Sequence, residues 1–170
     1  MRLLNIDRSS DDTFYRYKME PVAVKIEGRG NGIKTVLINI EEIARSLRRE
    51  PKHLTKYLSY EMGTLSSIDE DNSKYIINGA HEKERVQEYL YNFIDELVLC
   101  KECRNPETDL FCVPGKKTVH QKCKACGEEA AVKSSNKIMK ILLKDLEDVD
   151  VGKDSEEFED FQEEDYVFGK

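Results

Sequence analysis

Four cysteines occur in two matching pairs, "CKEC" (100–103) and "CKAC" (123–126), with 19 residues between the pairs. This spacing falls in the range of four-cysteine zinc sites, in which two short turns carry thiolates to about 2.3 Å from the metal. An iron centre of the rubredoxin type uses the same ligands and is the alternative. Because four protein ligands leave no open position for water, we expect a structural zinc ion. The predicted ligands are Cys100, Cys103, Cys123 and Cys126.

The residues around these pairs, 100–143, have the composition of a small metal-stabilised domain. The segments "TDLFCV", "KTVHQ" and "KIMKILL" are predicted strands, separated by Gly, Pro, Asn and Lys. With so few apolar residues, the segment needs the folding free energy that metal binding supplies. We therefore predict a zinc ribbon. Cys112 lies outside the pattern and is expected to be a small buried residue, and His120 is the alternative ligand.

Upstream of the ribbon, the pattern predicts a hairpin followed by a helix. "PVAVKIEG" (21–28) alternates, "IKTVLIN" (33–39) is β-branched, and "GRGNG" (28–32) is a turn between the two strands. The period then changes to that of a helix in "NIEEIARSLRR" (39–49), with Asn39 as a plausible N-cap and Pro51 as the stop.

The remaining segments complete a β-β-α-β-β-α order. "LTKYLSYEMGTLSSID" (54–69) is interpreted as mostly extended strand and "KYIIN" (74–78) as a short strand. "AHEKERVQEYLYNFIDELVL" (80–99) is the strongest helix, because its apolar residues form one stripe. The predicted class is α+β: a small mixed β-sheet with two helices, then the zinc ribbon and an acidic disordered tail. The predicted units are a flexible leader (1–20), an α+β domain (21–99), the ribbon (100–143) and the tail (144–170).

Length and composition limit the possible classes of protein. The chain has 170 residues, 36% charged and 39% hydrophobic, which suits one ordinary domain or two small ones. No apolar run approaches the roughly 20 residues that cross a bilayer, and "MRLLNIDRSSDD" has no apolar signal segment. We therefore expect no membrane partner and a cytoplasmic location, where thiols stay reduced and favour metal binding over disulfides.

Charge is distributed unevenly along the chain. Residues 145–170 hold 12 acidic and 2 basic residues, although the whole chain has a net charge of only −7. The body is therefore mildly basic and suits an anionic partner, whereas the tail repels nucleic acid. The simpler interpretation of the tail is a solvated segment that adds solubility.

The sequence motifs of common enzyme classes are missing. "GRGNGIKT" ends in Lys-Thr but lacks the spacing of a phosphate-binding P-loop. No serine-centred nucleophile elbow occurs, and His53, His81 and His120 are dispersed. We expect no independent active site.

Six stretches, in order over roughly residues 5–143, resemble a known family. They are "FYRYKM" (14–19), "KIEGRGNGIKTVLIN" (25–39), "TKY" (55–57), "YIINGAHE" (75–82), "VLCKECRNPETDL" (98–110) and "CKACG" (123–127). They resemble the N-terminal region of eukaryotic translation initiation factor 5, which activates the GTPase of initiation factor 2. The beta subunit of initiation factor 2 shares the module and the ribbon, and "PKHL" (51–54) and "GTLSSID" (63–69) resemble it at least as well. "FYRYKM" and "GNGIKT" favour factor 5.

The resemblance implies roles for particular residues and partners. Arg16 matches the arginine of the F-Y-R-Y-K motif, which is implicated as an arginine finger acting in trans, and Lys34 and Lys56 match lysines with supporting roles. The implied partners are the gamma and beta subunits of initiation factor 2 with GTP and initiator tRNA, the small ribosomal subunit and other initiation factors. The implied activity is GTPase activation coupled to start-codon selection. The alternative is a scaffold or RNA-binding subunit of the beta type, in which Arg16 is idle.

The sequence departs from the family in two places. "EEAAV" (128–132) stands where the family usually has a glycine-containing basic turn, which weakens the case for a nucleic-acid contact there. The family normally continues into a C-terminal helical-repeat domain, whereas this sequence stops at Lys170. Acids alternate with aromatic residues in "EEFEDFQEEDYVF" (156–168), a composition typical of segments that dock on basic, apolar grooves. Our hypothesis is that this stretch binds a basic initiation factor.

Overall fold

The computed structural model describes residues 2–113 and 115–148, so the acidic-aromatic stretch 156–168 lies outside the described residues. The strands are β1 (Leu4–Asn5), β2 (Lys18–Met19), β3 (Val24–Glu27), β4 (Lys34–Leu37), β5 (Ser66–Asp69), β6 (Lys74–Asn78), β7 (Thr108–Cys112), β8 (Val119–Cys123) and β9 (Glu129–Ala131). The helices are α1 (Ile40–Leu47), α2 (Pro51–Glu61), α3 (Lys83–Leu97) and α4 (138–148).

The strands form three antiparallel sheets. β1 pairs with β2, four strands follow the order β3-β4-β6-β5, and three strands follow the order β7-β8-β9. The α+β class is confirmed. The main sheet is antiparallel throughout rather than mixed, and the described residues hold four helices instead of the two predicted.

The predicted hairpin is present and depends on a glycine at its turn. β3 and β4 pair from Val24 opposite Leu37 to Glu27 opposite Lys34, with a short 3-10 turn at Gly30–Gly32. Gly28 has φ +88°, and a Cβ there would lie 2.3 Å from the carbonyl oxygen of Gly32. The return of the chain therefore requires a residue without a side chain.

Asn39 precedes α1 as predicted, but its side chain does not cap the helix. It accepts a hydrogen bond from the N–H of Ala23 at 2.8 Å and donates one to the carbonyl of Pro21 at 2.9 Å. The amide therefore fixes the entry into β3, a contact between distant segments that a capping pattern does not reveal.

The strand predicted over most of 54–69 is wrong in its first half, where the chain forms α2. Pro51 occupies the first turn of this helix, where a missing N–H costs no hydrogen bond, so it starts α2 rather than only ending α1. Leu54, Tyr57 and Leu58 are fully buried at helical spacing, and the Tyr57 ring meets Phe93 of α3 edge-on at 5.1 Å. Burial of this face outweighs the strand preference of the local composition.

The strand predicted at "KIMKILL" is also wrong, because residues 138–148 are helical and the third ribbon strand is β9. Ile138 and Leu142 lie one turn apart and are both buried. Asn136 accepts a hydrogen bond from the Ile138 N–H at 2.9 Å and donates one to Glu61 at 2.8 Å. The ribbon chain therefore returns to pack α4 against the end of α2.

One core joins these elements. The buried apolar residues come from the leader, the main sheet, all four helices and the ribbon, from Ile6 and Met19 to Val119, Ile138 and Leu142. Within the described ranges, none of the helices has both the length and the apolar character needed to cross a membrane.

Candidate functional site: a cysteine cluster and an arginine loop

The four predicted cysteines converge at the start of the ribbon. The Sγ atoms of Cys100 and Cys126 are 3.7 Å apart, and those of Cys103 and Cys123 are 3.5 Å apart. Tetrahedral ligation at about 2.3 Å requires sulfur atoms about 3.8 Å from each other, whereas a disulfide bond is about 2.05 Å long. The cluster therefore has the dimensions of a four-thiolate metal site. Within the described part of the chain, neither Cys112 nor His120 belongs to it.

Backbone turns hold the two cysteine pairs in similar conformations. The Arg104 N–H donates to the carbonyl of Cys100 at 2.9 Å, and the Gly127 N–H donates to the carbonyl of Cys123 at 3.0 Å. The Cys126 N–H points at the sulfur of Cys123 at 3.5 Å. Burial alone raises the pKa of the Cys123 thiol, but backbone N–H groups outweigh it and lower that pKa below its usual value. Burial raises the pKa of the Cys103 thiol, and against a backbone hydrogen bond at Glu128 it also raises that of Cys126. The metal site is therefore assigned from the sulfur–sulfur distances.

The leader folds back on itself. β1 and β2 pair with Leu4 opposite Met19 and Asn5 opposite Lys18, and the Ile6 N–H donates to the carbonyl of Tyr17 at 3.0 Å. Residues 6–17 form a closed loop at the end of this hairpin, which we call the arginine loop.

Polar side chains at the base of the arginine loop and within it hold the loop in shape. The Asn5 amide donates to the carbonyls of Ser10 and Asp12 at 2.9 and 3.0 Å, and Lys18 donates to the Asn5 side-chain oxygen at 2.6 Å. The Asp12 carboxylate accepts a hydrogen bond from the Phe14 N–H at 2.9 Å. Such side chains replace backbone partners in turns, so the loop holds its shape without a regular element.

The tip of the arginine loop presents Phe14 and Arg16 to solvent. The Phe14 side chain is 92% exposed and Arg16 is exposed. Tyr15 and Tyr17 meet edge-on with ring centroids 5.8 Å apart, and the Arg16 guanidinium lies 5.8 Å from the Tyr17 ring. Burial, followed by the charge of Asp7, raises the pKa of the Tyr15 hydroxyl. The two tyrosines therefore form the inner face of the loop and leave Arg16 on its outer face.

Arg8 and Arg16 belong to the same loop but differ in their surroundings. Arg8 lies against α3 and contacts Glu88 at 3.0 Å, Asp95 at 2.7 Å and Asn92 at 3.2 Å. Among the described residues, Arg16 forms no ion pair and no side-chain hydrogen bond. Arg8 therefore attaches the arginine loop to α3, whereas the guanidinium of Arg16 is left to bind a partner.

The two predicted lysines lie on other elements. Lys34 begins β4 and alternates with Thr35, whose side chain is buried on the helix-covered face, so Lys34 belongs to the open face of the sheet. Lys56 lies in the middle of α2 and is half-buried. Arg16, Lys34 and Lys56 therefore lie on three different elements: the arginine loop, β4 and α2.

The arginine loop contacts the first cysteine pair through residues that the sequence analysis did not single out. Arg104 donates to both carboxylate oxygens of Asp7 at 3.1 and 2.9 Å, and the Asn105 amide donates to the Tyr17 hydroxyl at 3.3 Å. The one local sequence feature that could have drawn attention to Asp7 is the turn pattern "DRS" at residues 7–9. In this turn the Asp7 carboxylate accepts hydrogen bonds from the N–H and the hydroxyl of Ser9, at 2.9 and 2.6 Å.

A second group of possible metal ligands consists of Glu50, His53 and Asp145. His53 contacts Asp145 at 2.8 Å, and the Lys52 ammonium lies 3.1 Å from Glu50 and 3.3 Å from Asp145. The lysine already supplies the cation between the two carboxylates. This group is therefore a set of ion pairs that fixes α4 to the start of α2.

Known proteins are similar to this chain over most of its length. The model of a family described as a domain found in initiation factors 2B and 5 matches residues 7–129. Eukaryotic translation initiation factor 5 of Mus musculus is 45% identical over 150 residues, 88% of this chain and 35% of that protein. The protein of the same name from Caenorhabditis elegans is 44% identical over 148 residues, 87% of this chain and 34% of its own length. That of Saccharomyces cerevisiae is 41% identical over 145 residues, 85% of this chain and 36% of its own length.

The chain thus spans about a third of the length of these curated relatives. The matched residues 7–129 include most of the arginine loop, the main sheet and all four clustered cysteines. The sequence similarity leads to one assignment: the chain belongs to the family of the domain found in initiation factors 2B and 5, and it is related to eukaryotic translation initiation factor 5.

Proposed function

We propose that this chain acts in translation initiation by activating GTP hydrolysis on initiation factor 2, with Arg16 inserted in trans. One observation carries the proposal: Arg16 is exposed on a loop held by its own hydrogen bonds, and among the described residues its guanidinium has no acidic partner. A loop that already holds its shape loses less conformational entropy on entering another protein's site than a free segment would.

The chemistry of GTP hydrolysis suits such an arginine. In the transition state, negative charge spreads over the γ-phosphoryl oxygens and the oxygen that bridges to the leaving group. A planar guanidinium binds two of these oxygens at once and excludes water from them. A lysine in the same place provides a point charge without the fork. The catalytic machinery belongs to the GTPase, and this chain acts as an activator without an active site of its own.

Lys34 and Lys56 have supporting roles in this proposal. Because they lie on different elements from Arg16, we assign them to electrostatic attraction towards the GTPase, initiator tRNA or ribosomal RNA rather than to the reacting phosphate. The partners are initiation factor 2 with GTP and initiator tRNA, the small ribosomal subunit and other initiation factors in the cytoplasm. The activity is coupled to start-codon selection in the scanning complex.

Zinc bound by the four cysteines has a structural role. The thiolate donors fit zinc, and the closed donor set leaves no position for a reacting group. The metal would hold the two cysteine turns together and supply folding free energy to the ribbon.

The deciding experiment is single-turnover GTP hydrolysis by initiation factor 2 loaded with initiator tRNA on the small subunit. Wild type is compared with Arg16→Ala and Arg16→Lys, and with Arg45→Ala and Arg45→Lys as controls, because Arg45 is an exposed arginine on α1. We expect both Arg16 variants to lose about 10³-fold or more in rate with binding retained. The Arg45 variants should match the wild type.

Equal rates for the wild type and both Arg16 variants would instead identify a scaffold of the beta-subunit type. Binding alone then accounts for the role of the chain. The hypothesis for stretch 156–168 is separable, because deleting that stretch should weaken capture of a basic initiation factor while leaving the hydrolysis rate per bound complex unchanged.

A further inference from the structure

The two cysteine turns share a backbone conformation but not a residue type. After the second cysteine of each pair the chain enters the left-handed region, at φ +58° for Arg104 and φ +77° for Gly127. Glycine adopts this conformation without steric cost, whereas arginine does not. The first turn therefore carries a side chain where the second carries none, and this side chain must be explained by what it contacts.

The Arg104 side chain reaches the first end of the arginine loop. Its Nε and Nη2 atoms bind the two oxygens of Asp7 in a fork-to-fork pair, and Nη2 also lies 3.5 Å from Asp95 of α3. Asp7 is 6% exposed, so its carboxylate needs these donors. Such bidentate pairs fix orientation as well as distance.

The next residue reaches the other end of the same loop. Asn105 donates to the hydroxyl of Tyr17 at 3.3 Å, and its own side-chain oxygen accepts from the Glu107 N–H at 2.8 Å. The Asn105 carbonyl in turn accepts from the N–H of Cys100 at 3.0 Å. Asn105 is therefore part of the cysteine turn, and its amide can meet Tyr17 only where that turn places it.

We propose that the first cysteine turn is the dock of the arginine loop, so that metal occupancy of the cluster is coupled to the order of Arg16. Two consecutive residues, Arg104 and Asn105, clasp both ends of the loop, Asp7 and Tyr17. Both clasping residues follow directly from ligand Cys103. When the cluster loses its metal the turn relaxes, the clasp opens, and the loop loses its fixed orientation. The docking stands on these contacts alone, whereas its effect on activation depends on the function proposed above.

The replacement Arg104→Gly separates the dock from the metal site. It installs the residue that the second turn already carries, so the turn keeps its conformation and its four thiolates. The reporter is amide hydrogen exchange at Ile6, whose N–H closes the loop on Tyr17, measured by NMR on the zinc-loaded full chain. We expect exchange to accelerate about tenfold or more, since a charge-assisted bidentate pair is lost. Zinc content should stay at one per chain.

Arg48 provides a matched control. It has φ +58° and pairs with Asp109 of the ribbon at 3.6 Å, but it does not touch the arginine loop. Arg48→Gly therefore makes the same change in residue type and removes an ion pair to the same ribbon. Ile6 exchange should remain within about twofold of the wild type. Equal exchange in wild type and Arg104→Gly would overturn the proposal.

Metal removal provides an independent arm. Titration with a chelator should accelerate Ile6 exchange in the wild type, and should have a smaller effect in Arg104→Gly, where the clasp is already open. An equal chelator response in both proteins contradicts the coupling.

The docking proposal and the arginine-finger proposal can also fail independently of each other. If the loop loosens in Arg104→Gly but GTP hydrolysis is unchanged, docking stands and the arginine-finger function fails. If Arg16→Lys abolishes activation while Arg104→Gly leaves the loop intact, the reverse holds.

Discussion

Arg49 donates hydrogen bonds to both the carbonyl and the hydroxyl oxygen of Thr108, at 2.7 and 2.8 Å, and a third to the carbonyl of Leu97 at 2.8 Å. Arg49 lies between α1 and α2, and Thr108 begins the first ribbon strand. Burial lowers the pKa of the Arg49 guanidinium to about 10, so it remains charged at neutral pH. The Arg49 side chain therefore connects the segment between α1 and α2 to the first strand of the ribbon.

Replacing Arg49 by methionine should destabilise the protein by about 2–3 kcal/mol, because buried carbonyl groups lose their donors. The stability is measured by urea unfolding of the zinc-loaded chain. Arg48→Met is the control, since its contact with Asp109 is half-exposed and 3.6 Å long. That control should change the stability by less than about 0.5 kcal/mol. Equal stabilities for the two variants would show that the Arg49 contacts contribute little.

Metal analysis tests the cysteine cluster directly. The purified chain should contain one zinc ion and lack the visible absorbance of a four-thiolate iron centre. Cys103→Ser should release zinc to a competing chelator that the wild type resists, because one thiolate of four is lost. Cys112→Ala should retain zinc, since Cys112 lies on β7 outside the cluster. Zinc loss from Cys112→Ala but not from Cys103→Ser would contradict the assigned ligands.

The Asp7 carboxylate should resist protonation. Hydrogen bonds from Arg104, and then from Ser9, outweigh burial and lower the pKa of Asp7 from 3.8 to about 2. Because the folded pKa is depressed, the stabilisation is complete above the unfolded pKa and is lost as pH falls towards 2. We expect this pair to contribute about 1–2 kcal/mol to the free energy of unfolding at neutral pH, since Arg104 is half-exposed and solvent partly screens its charge.

Carboxyl-carbon NMR of the zinc-loaded chain, with excess zinc maintained down to pH 4, shows whether this pKa lies well below 4. The Asp7 signal should stay in its ionised position at pH 4 in the wild type and in Arg48→Gly. In Arg104→Gly it should move towards the protonated position, because the pKa returns towards 3.8. A wild-type signal already half-shifted at pH 4 would be inconsistent with the bidentate pair.

Local spacing explains which features could be predicted from the sequence. The four cysteines were identified because two C-x2-C turns impose metal-ligand geometry within a few residues. The hairpin β3–β4, strand β6 and helix α3 were likewise predicted, because turn glycines and apolar periodicity are local signals. Helix α2 was missed because the composition of this stretch is mixed and Thr55, Tyr57 and Tyr60 favour strands, although Leu54, Tyr57 and Leu58 have helical spacing.

The arrangement of the candidate site was less accessible from sequence. Arg16 was singled out through family resemblance, but nothing local indicated that its loop is closed and docked. Asp7 and Arg104 are 97 residues apart, and both are ordinary charged residues in ordinary polar stretches. Such a pair becomes visible only when the ribbon and the leader are placed together, because charge pairing has no periodic signature along the chain.

The turn between β3 and β4 allows a comparison of two glycines that both have positive φ but differ in the space around a Cβ atom. Gly28 and Gly30 both have positive φ, +88° and +56°, but a Cβ on Gly28 would lie 2.3 Å from a backbone oxygen, whereas no atom lies within 4 Å of a Cβ on Gly30. Gly30→Ala should therefore lower the free energy of unfolding by only about 1 kcal/mol, because alanine is less stable than glycine in the left-handed conformation. Gly28→Ala should cost at least about 2 kcal/mol, because backbone must also move. Urea unfolding compares the two, and equal losses would mean that the turn relaxes freely around the added methyl group.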